Sequence, residues 1–207
     1  MIDEEGTITD PFRNFIAISR YARWDETKQR RETWVETVDR YMQNMSRMVL
    51  ENNDYAMTTE EYKQLRESII YMQDLPSMRA LMTAGPAIDS THVAAYNCSF
   101  VPIDSIESFS ELLYILTCGT GAGISVEAKY VSQLPVVPDK LLYSENVIMV
   151  RDSREGWADA LKSLIEYLYK GLIPNWDISE VRSAGTRLKT FGGRASGPGV
   201  LIELFQF

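Results

Sequence analysis

A short apolar run centred on a thiol, Tyr96-Asn97-Cys98-Ser99-Phe100, is followed one helical stretch later by a glycine-rich segment, Cys118-Gly119-Thr120-Gly121-Ala122-Gly123. Between them Ile106 to Leu116 reads as a single helix. This order constrains the fold more than any other feature of the chain. Strand, helix and strand in succession give neighbouring parallel strands, because a parallel pair needs a crossover and a helix supplies one. The order also puts a cysteine on a strand and a flexible turn one helix later, so both can border one cleft.

The same alternation sets the class of the second part of the chain. Short apolar runs with β-branched residues alternate with helices: Val93 to Ile103, a helix over 105–117, then Gly123 to Val131. An α/β domain with largely parallel strands is expected from residue 76 onward. Before it, residues 10 to 74 read as helical. Trp34, Val38, Tyr41, Met42, Met45, Met48 and Val49 recur at three- and four-residue steps between charged residues, which marks a buried helix face. Thr58-Thr59-Glu60-Glu61 opens another helix as a capping box, with Leu65, Ile69 and Met72 on its inward side. Asp74-Leu75-Pro76-Ser77 closes this helical region, so the chain divides at 1–75 and 76–207.

Residues 132 to 151 read as irregular, broken by Pro135 and Pro138, with a short strand at Val147 to Val150. Asp152-Ser153-Arg154-Glu155 starts a helix as a cap with an acid three residues on. Its core face is Trp157, Leu161, Leu164, Ile165 and Leu168, and Gly171 follows as its C-terminal stop. Residues 182 to 199 are rich in Gly, Ser, Arg and Lys without periodicity and read as a long loop. The closing stretch, Val200 to Phe207, is apolar and needs a covering partner.

Composition excludes several classes. The chain has 207 residues, 45 % of them hydrophobic, enough to bury a core. Its formal charge of -8 argues against broad nucleic-acid binding. It leaves room for a small nucleotide site, which needs only local donors. Two cysteines do not make a disulfide framework, so a reducing, cytoplasmic compartment is expected. The N-terminus lacks the basic and apolar regions of a signal peptide. No run of about twenty apolar residues suggests a membrane span. A single histidine, His92, argues against a histidine-based metal site, and no metal is expected.

Any thiol chemistry must use Cys98 or Cys118. A strand cysteine is ordinarily a small buried hydrophobe. The alternative for Cys98 is a redox thiol, which needs a second thiol within disulfide reach. Cys118, a helix away, is poorly placed, so a redox partner would come from outside the chain. Gly119 to Gly123 has neither dinucleotide-fold spacing nor the Lys-Ser/Thr of a phosphate-binding P-loop. It reads either as a tight helix-to-strand turn or as backbone that lets a ligand come close. Asp104-Ser105 is placed to cap a helix, or to accept hydrogen bonds from ribose hydroxyls. Arg187 to Gly197 gathers Arg187, Lys189 and Arg194 with several backbone donors; it is either a solvated loop or a set of phosphate contacts, with Lys189 and Arg194 as the candidates.

Taken together, these segments resemble one family, the adenosylcobalamin-dependent (class II) ribonucleotide reductases. The matching stretches are Tyr21-Ala22-Arg23-Trp24 with Arg30-Arg31-Glu32-Thr33-Trp34; Pro76-Ser77-Met78-Arg79-Ala80-Leu81; Tyr96 to Phe100; Gly119 to Gly123; Asp152 to Trp157; and Lys189 to Pro198. The resemblance implies the N-terminal part of a ten-stranded α/β barrel preceded by a helical segment, with residues 132 to 190 as an insertion. It implies that Cys98 is one of two thiols that reduce the substrate's 2'-carbon and become a disulfide. Ser77, Asn97 and the backbone of Gly121, Ala122 and Gly123 match positions lining the substrate. Asp104 and Ser105 match the start of the helix bearing a deoxynucleotide effector site.

The resemblance further implies reduction of ribonucleotides to deoxyribonucleotides for DNA synthesis by radical chemistry. Adenosylcobalamin, bound mainly outside this chain, generates a thiyl radical that abstracts the substrate's 3'-hydrogen, and a dithiol such as thioredoxin supplies the reducing equivalents. The family's radical-forming cysteine, a nearby glutamate and the second redox thiol lie further along, so a C-terminal reductase fragment is expected as partner. A split gene, an intein boundary or a truncation would each give such a chain. Two other readings follow from the residues: a non-catalytic, regulatory nucleotide-binding module, and a fragment that does not fold stably alone.

Overall fold

Helix caps, more than apolar runs, set where the elements of this chain begin. The structure, a computed structural model, describes residues 2–188 and 190–207. It divides into two compact units, residues up to 96 together with 190–192, and residues 97–188 together with 193–207.

The first unit is helical. In order come α1 (Pro11–Arg20), a small antiparallel pair β1 (Trp24–Asp25) and β2 (Arg30–Arg31), α2 (Trp34–Asn53), α3 (Thr59–Ile70), α4 (Met78–Thr83) and α5 (Pro86–Ser90), followed by a 3-10 turn at His92–Ala95. Both long helices start on full capping boxes. Glu36 N–H donates to Thr33 Oγ1 at 3.3 Å while Thr33 N–H donates to Glu36 Oε2 at 2.8 Å. Thr58 and Glu61 repeat the exchange at 3.2 and 2.9 Å. The core joins Trp34, Val38 and Met42 of α2 to Ile69 and Ile70 of α3, Ala17 of α1 and Leu81 of α4. Trp34 Nε1–H also donates to the Ile70 carbonyl at 3.0 Å, so the largest core side chain keeps its polar atom paired.

Leu65 departs from expectation: it is exposed, whereas Ile69 and Ile70 are buried. The inward face of α3 runs through Tyr62, Ile69 and Ile70, and Leu65 stands off it; the chain then turns at Met72 with φ of 57°. One guanidinium staples the unit. Arg40 Nε and Nη2 donate to the two carboxylate oxygens of Glu32 at 2.8 and 3.0 Å. Its Nη1 donates to the carbonyls of Leu81 and Ala84, and Nη2 also reaches that of Tyr21. A largely buried charge with this many acceptors is held rather than stranded.

The second unit is α/β. It runs β3 (Cys98–Pro102), α6 (Ile106–Thr117), β4 (Gly121–Ser125), α7 (Ala128–Val131), β5 (Leu142–Met149), α8 (Arg154–Tyr169), β6 (Leu172–Asp177) and α9 (Gly199–Gln206). β3 pairs with β4, and β5 with β6, each parallel and each joined by one helix. The parallel α/β class is thus present, as separate two-stranded ladders among the described residues. The core is Ile148 and Val150 with Ala160 and Leu164 of α8, Val181, and Leu201 and Phe205 of α9.

Several boundaries differ from the sequence reading. The run Val93 to Ile103 is a 3-10 turn and then a strand, because Tyr96 N–H closes back on the Val93 carbonyl at 3.1 Å. Gly123 to Val131 is not one strand: β3 ends at Pro102, which leaves the chain beyond Ser125 without a ladder partner, and it coils into α7. β5 begins well before Val147, since a register irregularity between Tyr143 and Val147 breaks its alternation. The α8 cap is Ser153, which accepts from Gly156 N–H at 2.8 Å, so Asp152 is not the cap. β6 carried no clear signal, as Pro174 and Asn175 interrupt it. Residues 183–188 pair with 193–197 in a hairpin-like arrangement rather than an open loop, bridged between Arg187 and Arg194. Gly197, with φ of 76°, passes so close to Ala184 that a Cβ would stand 2.8 Å from its nitrogen. The closing apolar run is α9, whose Leu201 and Phe205, four residues apart, face the core.

Candidate functional site

Cys98 is the first residue of β3 and stands directly across from Gly121 of β4. Its thiol is free and exposed, unlike the buried apolar cysteine that a strand position ordinarily gives. The pairing is set by backbone: Gly121 N–H donates to the Asn97 carbonyl at 2.9 Å. Ser99 Oγ–H donates to the Gly121 carbonyl at 3.2 Å, binding the two strands a second time. Register then places Ala122 opposite Ser99 and Gly123 opposite Phe100. Gly121 and Gly123 are exposed and lack side chains, so one stretch of β4 backbone lies bare beside the thiol. Asn97, Cys98, Gly121, Ala122 and Gly123 are thereby brought together in one unit. Ser77 belongs to the other unit, where it is exposed and caps α4 by accepting from Ala80 N–H at 3.5 Å.

Asp104 and Ser105 stand between β3 and α6. Ser105 accepts from Ser108 N–H at 3.3 Å, and Ser108 Oγ–H donates to Asp104 Oδ1 at 3.0 Å. Ser108 is buried, and the sequence reading missed it; a Ser-x-x-Ser step at a helix start was the available signal. The capping role is therefore filled, and Asp104 keeps its second oxygen for other donors. One turn on, Lys162 of α8 donates to Glu107 at 2.8 Å and holds that carboxyl below its ordinary range. Arg194 is exposed, and its Nη1 donates to the Gly185 carbonyl at 2.9 Å, closing the hairpin-like turn. Lys189 lies outside the described residues.

Cys118 is not part of a loose glycine loop. It caps the end of α6, fully buried, and Arg154 Nη1–H donates to its Sγ at 3.3 Å. No sequence signal marks this pair, because the partners, the cap that closes α6 and the first residue of α8, are 36 residues apart.

Among the described residues no group of three or more His, Cys, Asp and Glu is placed to hold a metal, and no helix is long and apolar enough to cross a membrane. A cavity of about 550 Å³ in the first unit is lined by Asp3, Glu4, Glu5, Glu36, Arg66 and Tyr71 among others.

The comparisons with known proteins agree with one another. A family model described as "Ribonucleotide reductase alpha domain" matches residues 3–86, and one described as "B12-dependent ribonucleotide reductase, insertion domain" matches residues 126–207. An adenosylcobalamin-dependent ribonucleoside-triphosphate reductase of Euglena gracilis is 28 % identical over 92 % of this chain and 28 % of its own length. The enzyme of that name from Lactobacillus gasseri is 29 % identical over 89 % of this chain and 34 % of its own. A crystal structure of a B-12 dependent (class II) ribonucleotide reductase superposes with a TM-score of 0.77 at 25 % identity, covering 93 % of this chain and 35 % of that one. The chain thus spans about a third of the length of these proteins, and over most of its own length it is similar to the N-terminal portion of B12-dependent ribonucleotide reductases.

Proposed function

We propose that this chain supplies the N-terminal part of a reductase that converts ribonucleotides to deoxyribonucleotides for DNA synthesis. The observation that carries the reading is the exposed Cys98 thiol at the head of β3, in register with the bare Gly121 backbone, in a chain matched by reductase family models on both sides of that ladder. The names of the relatives favour ribonucleoside triphosphates as substrates.

In this reading Cys98 is one of two thiols that reduce the substrate's 2'-carbon. The two thiols give up two electrons and two protons and become a disulfide, the 2'-hydroxyl leaves as water, and an external dithiol of the thioredoxin kind restores them. Asn97, Gly121, Ala122 and Gly123 line the substrate, with Ser77 contributing from α4. Asp104 and Ser105 receive a deoxynucleotide effector, and Lys189 and Arg194 contact phosphates. The strands continue into a ten-stranded α/β barrel completed by a C-terminal reductase portion that carries the radical cysteine. Residues 1–75 precede that barrel, and about 132–190 are inserted in it. Adenosylcobalamin supplies the radical in the assembled enzyme, which works in the reducing cytoplasm, and is held mainly by that other portion. No observation favours the regulatory, non-catalytic alternative.

Cys98→Ser in the assembled enzyme tests the reading. Turnover with a dithiol reductant should vanish while substrate still binds; near-normal turnover would overturn the assignment.

A further inference from the structure

The arginine that opens α8 reaches the residue that closes α6. Arg154 is largely buried, with its side chain 19 % exposed, and its guanidinium donates to Cys118 Sγ at 3.3 Å. The same group lies 5.8 Å from the ring centroid of Tyr114, one turn earlier on α6. Cys118 is fully buried and begins the turn into β4: Cys118 N–H donates to the Tyr114 carbonyl, Gly119 N–H to Leu116 and Thr120 N–H to Ile115. The next residue is Gly121, whose amide sets the register with Asn97 and Cys98. The start of α8 is itself pinned, since a Cβ on Gly156 would stand 2.6 Å from the Arg151 carbonyl oxygen.

We propose that Arg154 is a positioning residue that fixes the β3–β4 register at Cys98 through Cys118. An unbroken path runs from the guanidinium through the buried sulfur and the α6 end to the amide that pairs with Asn97. Arg154 lies within the segment matched as an insertion domain and Cys118 lies before it, so the contact ties the two together. A charged donor to a polarizable sulfur is directional, whereas packing alone would let the turn shift along the helix axis. The functional meaning rests on the reductase reading; the structural claim does not.

Amide exchange of the chain, followed by mass spectrometry on fragments covering residues 119–125, tests it. Arg154→Ala and Cys118→Ala should each speed exchange at Gly121 about tenfold, as expected for losing one charge-assisted hydrogen bond. The double variant should be no faster than either single one. Cys118→Ser, which keeps an acceptor, should stay within about threefold of the parent. Exchange in the β5–β6 ladder should not change. Parent-like exchange at Gly121 in both alanine variants, or an equal rise across β5–β6, would overturn the proposal. Should Arg154→Ala fail to fold, the Cys118 serine and alanine pair decides it alone. In the assembled reductase, Arg154→Ala should lower kcat about tenfold, because a loosened register misplaces the Cys98 thiol, with KM for the nucleotide held within about threefold. A parent enzyme that reduces no nucleotide would sink the reductase reading and leave the exchange result standing.

Discussion

The two units of this chain reach stability by different routes. In the first, helices start on capping boxes, Trp34 and Leu81 are buried, and Arg40 ties the ends of α1 and α4 together through their carbonyls. The second leaves much apolar surface in water: Phe100, Ile124, Val126, Leu142, Tyr143 and Val147 are all more than half exposed. Its ladders are two strands wide, and such pairs are marginal without further cover. The contrast teaches that local order and a finished core are separate achievements. Both units have a core cluster and both leave large apolar side chains in water, Phe12, Phe15 and Tyr71 in the first among them; in the second many of these lie on open two-stranded ladders, a face of the kind that marks an interaction surface.

The largest test of this contrast is a pair of aromatic truncations. Trp34→Ala should cost about 4 kcal/mol, because it empties a buried site and frees the Ile70 carbonyl. Phe100→Ala, at 60 % exposure, should cost less than about 0.5 kcal/mol. Urea unfolding read on both variants checks it, and similar losses would erase the distinction. Next, Arg40→Ala should cost about 3 kcal/mol, since it leaves Glu32 half-buried without its ion partner. A loss below about 1 kcal/mol would show that the staple is ornamental to the unit.

Smaller effects sharpen the picture. Thr33→Ala and Thr58→Ala should each cost about 1 kcal/mol, and they should add because the two caps serve separate helices. The smallest is electrostatic. The hydrogen bond from Arg30, aided by Lys28 and Thr33, holds the Glu36 carboxyl far below its ordinary value of 4.5. A depressed folded value stabilises above the unfolded one and is lost as pH falls through the folded one. Glu36→Gln should therefore lose under about 1 kcal/mol at pH 7, and the gap to the parent should close as pH drops below about 4. A gap that is constant with pH would trace the loss to the cap geometry instead.

Much of this was legible beforehand. The capping boxes, the α6 helix and the parallel ladder around Cys98 follow from local rules: a hydroxyl with an acid three residues on, and a thiol strand followed by a helix and glycines. The errors have a common physical source. Leu65 shares a four-residue step with Ile69, yet the covered face of α3 runs through Tyr62, Ile69 and Ile70. β5 was cut short because its bulge hides the alternation. Cys118 was read as loop because its partner, Arg154, is distant in sequence. Contacts between elements, unlike caps, leave no mark on either element alone. For the candidate site, the grouping of Asn97, Cys98 and Gly121 to Gly123 is legible in the element order and Ser108 in its Ser-x-x-Ser step, while the contact of Arg154 with Cys118 carries no local signal.

Each parallel ladder in the second unit is closed by a single helix, and this shapes how the chain is made. The pairing of Cys98 with Gly121 needs only α6 between them, so it can form once β4 has left the ribosome, before β5 and β6 exist. Until later segments emerge, a nascent chain would carry an exposed thiol beside Phe100 and Ile124 on an uncovered strand pair. Synthesis of this protein thus passes through a window in which the Cys98 edge lies open beside apolar surface, and the pace of translation and access to chaperones decide how long that window stays open.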